Sequence, residues 1–421
     1  MIIRELTNQE FKNFTDNFYM KSIYQTLEYG FTMNEQKYDT MFIGLVNDGV
    51  VIAASLILIK KELGFKYAIA PRGFLIKYED FYLFKDFTKN LKVFLNNKGI
   101  IAIKINPMII KNIYDFKNQK VEKNKKYDLI FESLIHNGYN HLGYNDFFEA
   151  IKPRFVAEID LTKQTNELFK NVKRKYRTKI RNAARNGIEI IRGSGEDLKY
   201  LYEFTKDNYS RKLNYFKDCY GYFYKNNRID YFYTRLNTKT YLKNIQKRLS
   251  EYESLSTSLN EKIVLKSKNN PRGLIDKKIN IDKYLDKYKD ELIYATKLLR
   301  DNPDGIITSA ILTIKHGDEV TVLIDGYDKN YSRLNSKHVL IWELTIYYKK
   351  QGYTKFNLGG VSNMITDINS KYIGLNEFKT NLGALIYEYA GDFELIINKM
   401  NYNLYRNSMP IRNLLKSKLM K

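Results

Sequence analysis

The chain has 421 residues, 44% of them hydrophobic, and 70 Lys and Arg against 47 Asp and Glu give a formal net charge of +23. That length and apolar content are enough for a large core in two or more domains, and they exclude a disordered chain. The basic excess favours phosphate-rich partners such as RNA, nucleotides or anionic membrane surfaces, without choosing among them.

The N-terminal stretch MIIRELTNQEF has no secretory-leader pattern, and the longest apolar run, VVIAASLILI at 50–59, is too short to span a bilayer. A cytoplasmic protein is expected, with peripheral contact at the inner face of the cell membrane allowed. Residues 50–59 and 64–70 read as strands, 80–96 as a helix and 99–107, GIIAIKINP, as a further strand. The same order recurs later: strands at 306–315 and 319–325, a helix at 335–351 and a strand at 352–360. Gly99 and Gly352 each follow the expected helix, where a left-handed C-terminal cap belongs. Two related α/β (α+β) halves are therefore expected.

Residues 166–187, NELFKNVKRKYRTKIRNAARNG, read as one amphipathic helix. Leu168, Phe169, Val172, Tyr176, Ile180 and Ala183 form its inner stripe. Lys170, Lys173, Arg174, Lys175, Arg177, Lys179, Arg181 and Arg185 crowd its outer face, a concentration suited to phosphate, although such a face is often only solvated. Arg177 and Arg181 stand one turn apart and are placed to grip a single anion.

Residues 239–302 change character. Tyr241, Ile245, Leu249, Tyr252, Leu255, Leu259 and Ile263 form one stripe, and Ile281, Leu285, Tyr288, Leu292, Ala295 and Leu299 form a second at coiled-coil spacing. KNNPRG at 268–273 breaks them apart, so an antiparallel helical hairpin is expected, either projecting or packed on the body.

Candidate chemistry is sparse. Cys219, the only cysteine, excludes an internal disulfide, and its setting YFKDCYGYFY has no nearby His and reads as packing. His136, His141, His316 and His338 are scattered, so neither a metal site nor a cofactor is expected. No GxxxxGK and no GxGxxG after a strand occurs, which disfavours NTP-driven chemistry. PRGF at 71–74 and LGGVS at 358–362 are candidate ligand-facing turns at strand ends, and ordinary turn chemistry explains them equally well. In GLNEFKTNLG at 374–383, Leu375, Phe378 and Leu382 fill three places of an apolar helical stripe and Lys379 the fourth. A lysine there either stretches its ammonium back to water or meets a negative partner.

An ordered set of motifs covers nearly the whole chain: YQTLEYG at 24–30, PRGF, IKINP at 103–107, KPRFVAEIDL at 152–161, YRTKIRNAARNGIEI at 176–190, SRKLNYF at 210–216, KFNLGGVS at 355–362 and GLNEFKTNLGALIYEYAGDFEL at 374–395. In these the sequence resembles the Fem family of peptidoglycan-branching aminoacyltransferases, specifically its coiled-coil-containing members. The resemblance implies two acetyltransferase-like (GNAT-type) halves, residues 1–151 and residues 152–238 with 303–421, and a coiled-coil arm at 239–302. It implies transfer of an amino acid from aminoacyl-tRNA to a lipid-linked or UDP-linked muropeptide, with no DNA partner. It also places Lys379 and Phe378 at the reacting ester, Arg211, Tyr215 and Arg72 around the acceptor, and Lys173, Arg174, Lys175, Arg177 and Arg181 on tRNA backbone. The chain departs from the family pattern at Phe74, where many members have Pro, at Asn106, where IKIDP is usual, and at Phe31, Thr32 and Met33, where some carry a basic residue. An acyl-CoA acyltransferase, a non-catalytic RNA-binding protein, and aminoacyl transfer to a lipid headgroup or protein N-terminus remain the rival readings.

An aminoacyl ester is already activated, so its aminolysis requires no ATP. It requires an amine held against the carbonyl and positive charge where the oxyanion develops. No His or carboxylate stands out in the sequence as a general base.

Overall fold

Two mixed sheets organise the chain, and each repeats the expected order of elements. The computed structural model describes residues 1–421 except 116, 118, 147, 266–271, 364–370 and 409–421. Among the described residues the first sheet runs in the order Ile2–Glu5, Asp39–Asn47, Val50–Glu62, Phe65–Pro71, Ile100–Asn106, Phe393–Ile396, Tyr139–His141. The second runs Ile188–Arg192, Ile229–Leu236, Ile306–His316, Glu319–Tyr327, Lys355–Val361, Phe155–Asp160, Leu385–Tyr389, Ile110–Tyr114, Lys120–Lys123.

In the first sheet, Val50–Glu62 turns back on Phe65–Pro71, and helix Phe81–Asn97 then carries the chain over to Ile100–Asn106, parallel to Phe65–Pro71. In the second, Ile306–His316 turns back on Glu319–Tyr327, and helix Ser336–Lys350 returns the chain to Lys355–Val361, again parallel. A parallel pair needs such a crossover, which is why strand and helix periodicities alternate in both stretches. Gly99 (φ +70°) and Gly352 (φ +88°) sit just past the two helices in the left-handed conformation that only glycine adopts freely.

The sheets also exchange strands. Phe393–Ile396 pairs with Ile100–Asn106 in the first sheet, burying Phe393 and Leu395 against Ile103 and Ile105, while Ile110–Tyr114 pairs with Leu385–Tyr389 in the second. A further core spans both halves, joining Leu56 and Leu58 to Leu312, Ile314 and Ile324 through Phe216 and Phe223 of helix Leu213–Tyr224. Cys219 is fully buried in that core, and burial pushes its thiol up to about 12, far from a reactive thiolate.

Helices Thr238–Leu265 and Arg272–Asp301 pack on each other. At their root Tyr241, Ile245, Ala295 and Leu298 bury themselves with Leu236, Ile306 and Leu334 of the body. The seam at its body end therefore uses Leu298, whereas Leu299 is only half-buried, and Leu255 of the expected stripe is half exposed. Farther out, Tyr252 packs against Tyr284 and Tyr288 in tilted contacts with ring centroids 5.5 and 5.2 Å away.

The basic segment is not the single helix its periodicity suggests. Thr165–Asn171 and Arg174–Arg185 are separate helices, with Val172 and Lys173 extended between them. The Lys173 amide donates to the Asn381 carbonyl at 2.9 Å, and Gly383 lies so close that a Cβ there would stand 2.9 Å from Asn171 Cβ. A distant turn thus captures the backbone where neither Pro nor Gly signals a break. Most of the inner stripe survives the break: Leu168, Val172, Tyr176, Ile180 and Ala183 are buried, whereas Phe169 is only half-buried.

Candidate active site at a splayed strand pair

The parallel strands of the second sheet separate, and a cleft of about 1210 Å³ opens between them and the first half. Glu319–Tyr327 and Lys355–Val361 are paired only from Glu319 with Lys355 to Thr321 with Asn357. Beyond Asn357 the second strand bulges against Phe155–Asp160, with the register slipping between Asn357 and Gly359. Gly359 has φ +82°, and a Cβ on Gly360 would stand 2.4 Å from Pro153 Cγ, so LGG is the local sequence that permits this path.

Lys379 fills the gap. Helix Ile373–Thr380 does not bury the apolar stripe expected of it: its buried face is Asn376, Lys379 and Thr380, whereas Leu375 and Phe378 are half-buried and line the cleft. Leu382 is buried beyond the helix end. Asn376 supports that polar face by accepting from the Ser362 amide at 3.0 Å and donating to Ser362 Oγ at 2.7 Å. The Lys379 ammonium is buried away from bulk water and forms no ion pair with a carboxylate among the described residues. Only 7% exposed, it donates to the Gly360 carbonyl at 2.8 Å, leaving two N–H bonds for another acceptor. Burial lowers its pKa to about 8, with Asp325 opposing and Lys337 reinforcing the shift.

Around it stand residues that the sequence did not single out. Lys337 pairs with Asp325 and lies 4.4 Å above the Phe378 ring. His338 packs edge-on against Tyr176 and Phe378, its ring centroid 4.8 and 5.2 Å from theirs. Burial, with Lys179 and Lys337 nearby, pushes its imidazole down to about 3, so it is neutral at physiological pH.

The other end of the cleft is cationic and aromatic. Arg72, in a left-handed turn at φ +55°, reaches across to the Pro153 carbonyl at 2.8 Å and lies 4.2 Å over the Tyr389 ring. Its Nη1 has no partner among the described residues. Gln25 of YQTLEYG fixes this turn by donating to the Pro71 carbonyl at 2.8 Å. Arg211 lies 4.5 Å over Tyr215, so these two expected residues do meet Arg72 in one cleft. Lys152, which the sequence reading passed over, stands 3.5 Å over the Tyr24 ring, and burial together with Arg211 and Arg72 lowers its pKa to about 7. No salt bridge ties Arg72, Lys152 or Arg211 to a carboxylate among the described residues.

Three departures from the family pattern have structural explanations. Phe31, Thr32 and Met33 pack into the core shared by both halves, so no cation arises there, and Lys152 enters the cleft from the opposite half. Phe74 is fully buried against Phe87, centroids 4.8 Å apart. Asn106 donates to Asp392 at 2.6 Å, where an aspartate would set two carboxylates face to face.

Lys173, Arg174, Lys175 and Arg181 are exposed and Arg177 is half-buried, and none forms an ion pair among the described residues. Lys179 of the same helix lines the cleft, so this basic surface is continuous with its Lys379 end. Among the described residues, no group of three or more His, Cys, Asp or Glu is placed to hold a metal ion, and no helix is long and apolar enough to cross a membrane.

The FemAB family pattern matches residues 6–408. Lipid II:glycine glycyltransferase of Staphylococcus haemolyticus is 26% identical over 416 residues, which cover 96% of this chain and 95% of that protein. Aminoacyltransferase FemA of Staphylococcus aureus (strain MRSA252) is 25% identical over 420 residues, covering 96% and 97%. The crystal structure of FemX superposes with a TM-score of 0.74 at 22% identity, over 96% of this chain and 99% of that one, a likeness of fold.

Proposed function

This chain belongs to the FemAB family, and from that premise we propose that it transfers an amino acid from aminoacyl-tRNA to an amine of a peptidoglycan precursor, on the stem peptide or the growing interpeptide bridge. The observation that carries the reading is the buried Lys379 ammonium, held on Gly360 at the mouth of the splayed strands with two N–H bonds to spare. An ester carbonyl placed there gains a charged donor in a site of low dielectric, where such a donor is worth most. Phe378, with Lys337 above its ring, forms the wall against which the terminal adenosine of the donor stacks. The exposed cations Lys173, Arg174, Lys175 and Arg181, with Arg177, follow the tRNA backbone, and such binding weakens steeply with salt.

Arg72, Lys152, Arg211, Tyr215 and Tyr24 take the anionic part of the acceptor at the opposite end. The tyrosine rings supply apolar faces, and the three cations have no carboxylate ion-pair partner among the described residues, an arrangement favourable to an incoming phosphate or carboxylate. The relatives named for lipid II and glycine support a precursor amine as acceptor. The test is incubation with a charged tRNA pool and lipid-linked or UDP-linked muropeptide, followed by product mass. A mass increment of one or more amino-acid residues supports the reading. tRNA binding with no increment, or modification only in the presence of acyl-CoA, overturns it.

A further inference from the structure

Two carboxylates line the cleft among the described residues, and they differ. Asp325 is neutralised by Lys337. Glu319 has no cationic partner among the described residues. One of its oxygens, Oε1, accepts from Thr321 Oγ1 at 2.7 Å and from Asn357 Nδ2 at 2.9 Å, and Asn357 is itself held by the Gly359 amide at 2.8 Å. The other oxygen has no partner among the described residues. Beneath it lies Glu158, opposite Asn357 in the next strand and only 6% exposed. Burial, reinforced by the neighbouring Glu319 carboxylate, pushes the Glu158 carboxyl up to about 8.

We propose that Glu319 is the docking carboxylate for the acceptor's ammonium group. This rests on the transfer reading above and adds the group that the sequence left unassigned. A fixed, half-buried carboxylate with one oxygen committed to neutral donors and one oxygen free is built to accept a charge-assisted hydrogen bond from an ammonium. Asn357, which orients Glu319, lies three residues before Gly360, which holds Lys379. An unbroken strand would set those positions about 10 Å apart at about 3.3 Å per residue, the bulge between them draws them closer, and both charged residues line the same cleft. In the step itself the amine nitrogen bonds to the carbonyl carbon and the ester C–O bond breaks. One ammonium proton passes to Glu319 and on to water, and a second goes to the leaving ribose oxygen.

The test separates docking from turnover. Calorimetry compares a UDP-linked muropeptide with a free amine, the same compound extended by one glycine, and the N-acetylated form of each. Wild-type protein is expected to bind at least one free-amine probe about 10- to 100-fold more tightly than its acetylated form. Glu319→Gln, which retains an oxygen for Thr321, is expected to bind both forms alike, and Glu319→Asp to keep part of the preference. Circular dichroism confirms that the variants fold. Equal affinity of wild type for free and blocked probes, including binding of neither, overturns the proposal, as does a preference that persists in Glu319→Gln. A wild type that prefers the free amine but transfers no amino acid would instead leave this assignment standing and fail the activity reading.

Discussion

The two halves repeat one strand–helix–strand plan, yet among the described residues their parallel strand pairs differ: the first stays closed and the second parts. In the first half the parallel strands remain paired from Lys66 with Ile100 to Pro71 with Asn106. In the second, pairing stops at Thr321 with Asn357. IKINP carries no glycine and keeps its ladder, whereas NLGGV has Gly359 at positive φ and Gly360 pressed against Pro153. A second difference follows from the first. Lys104 of the closed pair meets Asp392 at 2.8 Å, while Lys379, reaching the open pair from helix Ile373–Thr380, donates to a carbonyl and has no ion-pair partner among the described residues. A cation with a carboxylate partner stabilises a fold, and one without remains available to a ligand's charge.

Substitutions can break this contrast. Lys379→Ala is expected to lower amino-acid transfer about 100- to 1,000-fold, by analogy with a lost oxyanion donor, while circular dichroism stays unchanged. Ile103→Ala, fully buried between Ala68 and Leu395 in the closed half, should cost about 2–5 kcal/mol of stability in urea titration and leave the turnover of folded enzyme near normal. Gly359→Ala tests the bulge itself. A Cβ at φ +82° costs about 1–2 kcal/mol and disturbs the path to the Gly360 carbonyl, so transfer should fall with little change in tRNA affinity by filter binding.

The remaining two expectations sharpen the contrast between the ends of the cleft. Burial favours the neutral amine of Lys379, so its ammonium is present below about pH 8 and is lost above it. The single-turnover rate should therefore fall toward tenfold per unit as pH rises past 8, and a flat profile to pH 10 would remove that charge from the mechanism. Lys152→Met, at the opposite end, should raise the acceptor KM about tenfold with kcat nearly unchanged, since it removes uniform binding and no charge at the ester.

Much of this was legible from residue order. Strand and helix periodicities, the capping Gly99 and Gly352, and the two hairpin stripes mark local elements, and local elements obey local rules. Lys379 stood out because an ammonium on an apolar stripe demands an explanation, although the stripe itself turned out to face the other way. The break at Val172 and Lys173 was not legible, because its cause, the Asn381 carbonyl, is some two hundred residues away. Lys152, Glu319 and His338 were missed for the same reason. Each is an ordinary residue for its local element, and its meaning comes from neighbours on other elements.

By itself, then, the sequence determined the elements, their duplicated order, the family and the odd lysine, all properties set by spacing along the chain. The tertiary structure alone decided which parallel pair would part and, among the described residues, which cations would lack carboxylate partners and that Glu319 would line the cleft without a cationic one. Those outcomes depend on distances between strands that lie far apart in sequence. Electrostatic availability is a property of the assembled surroundings, and no reading of one segment contains it.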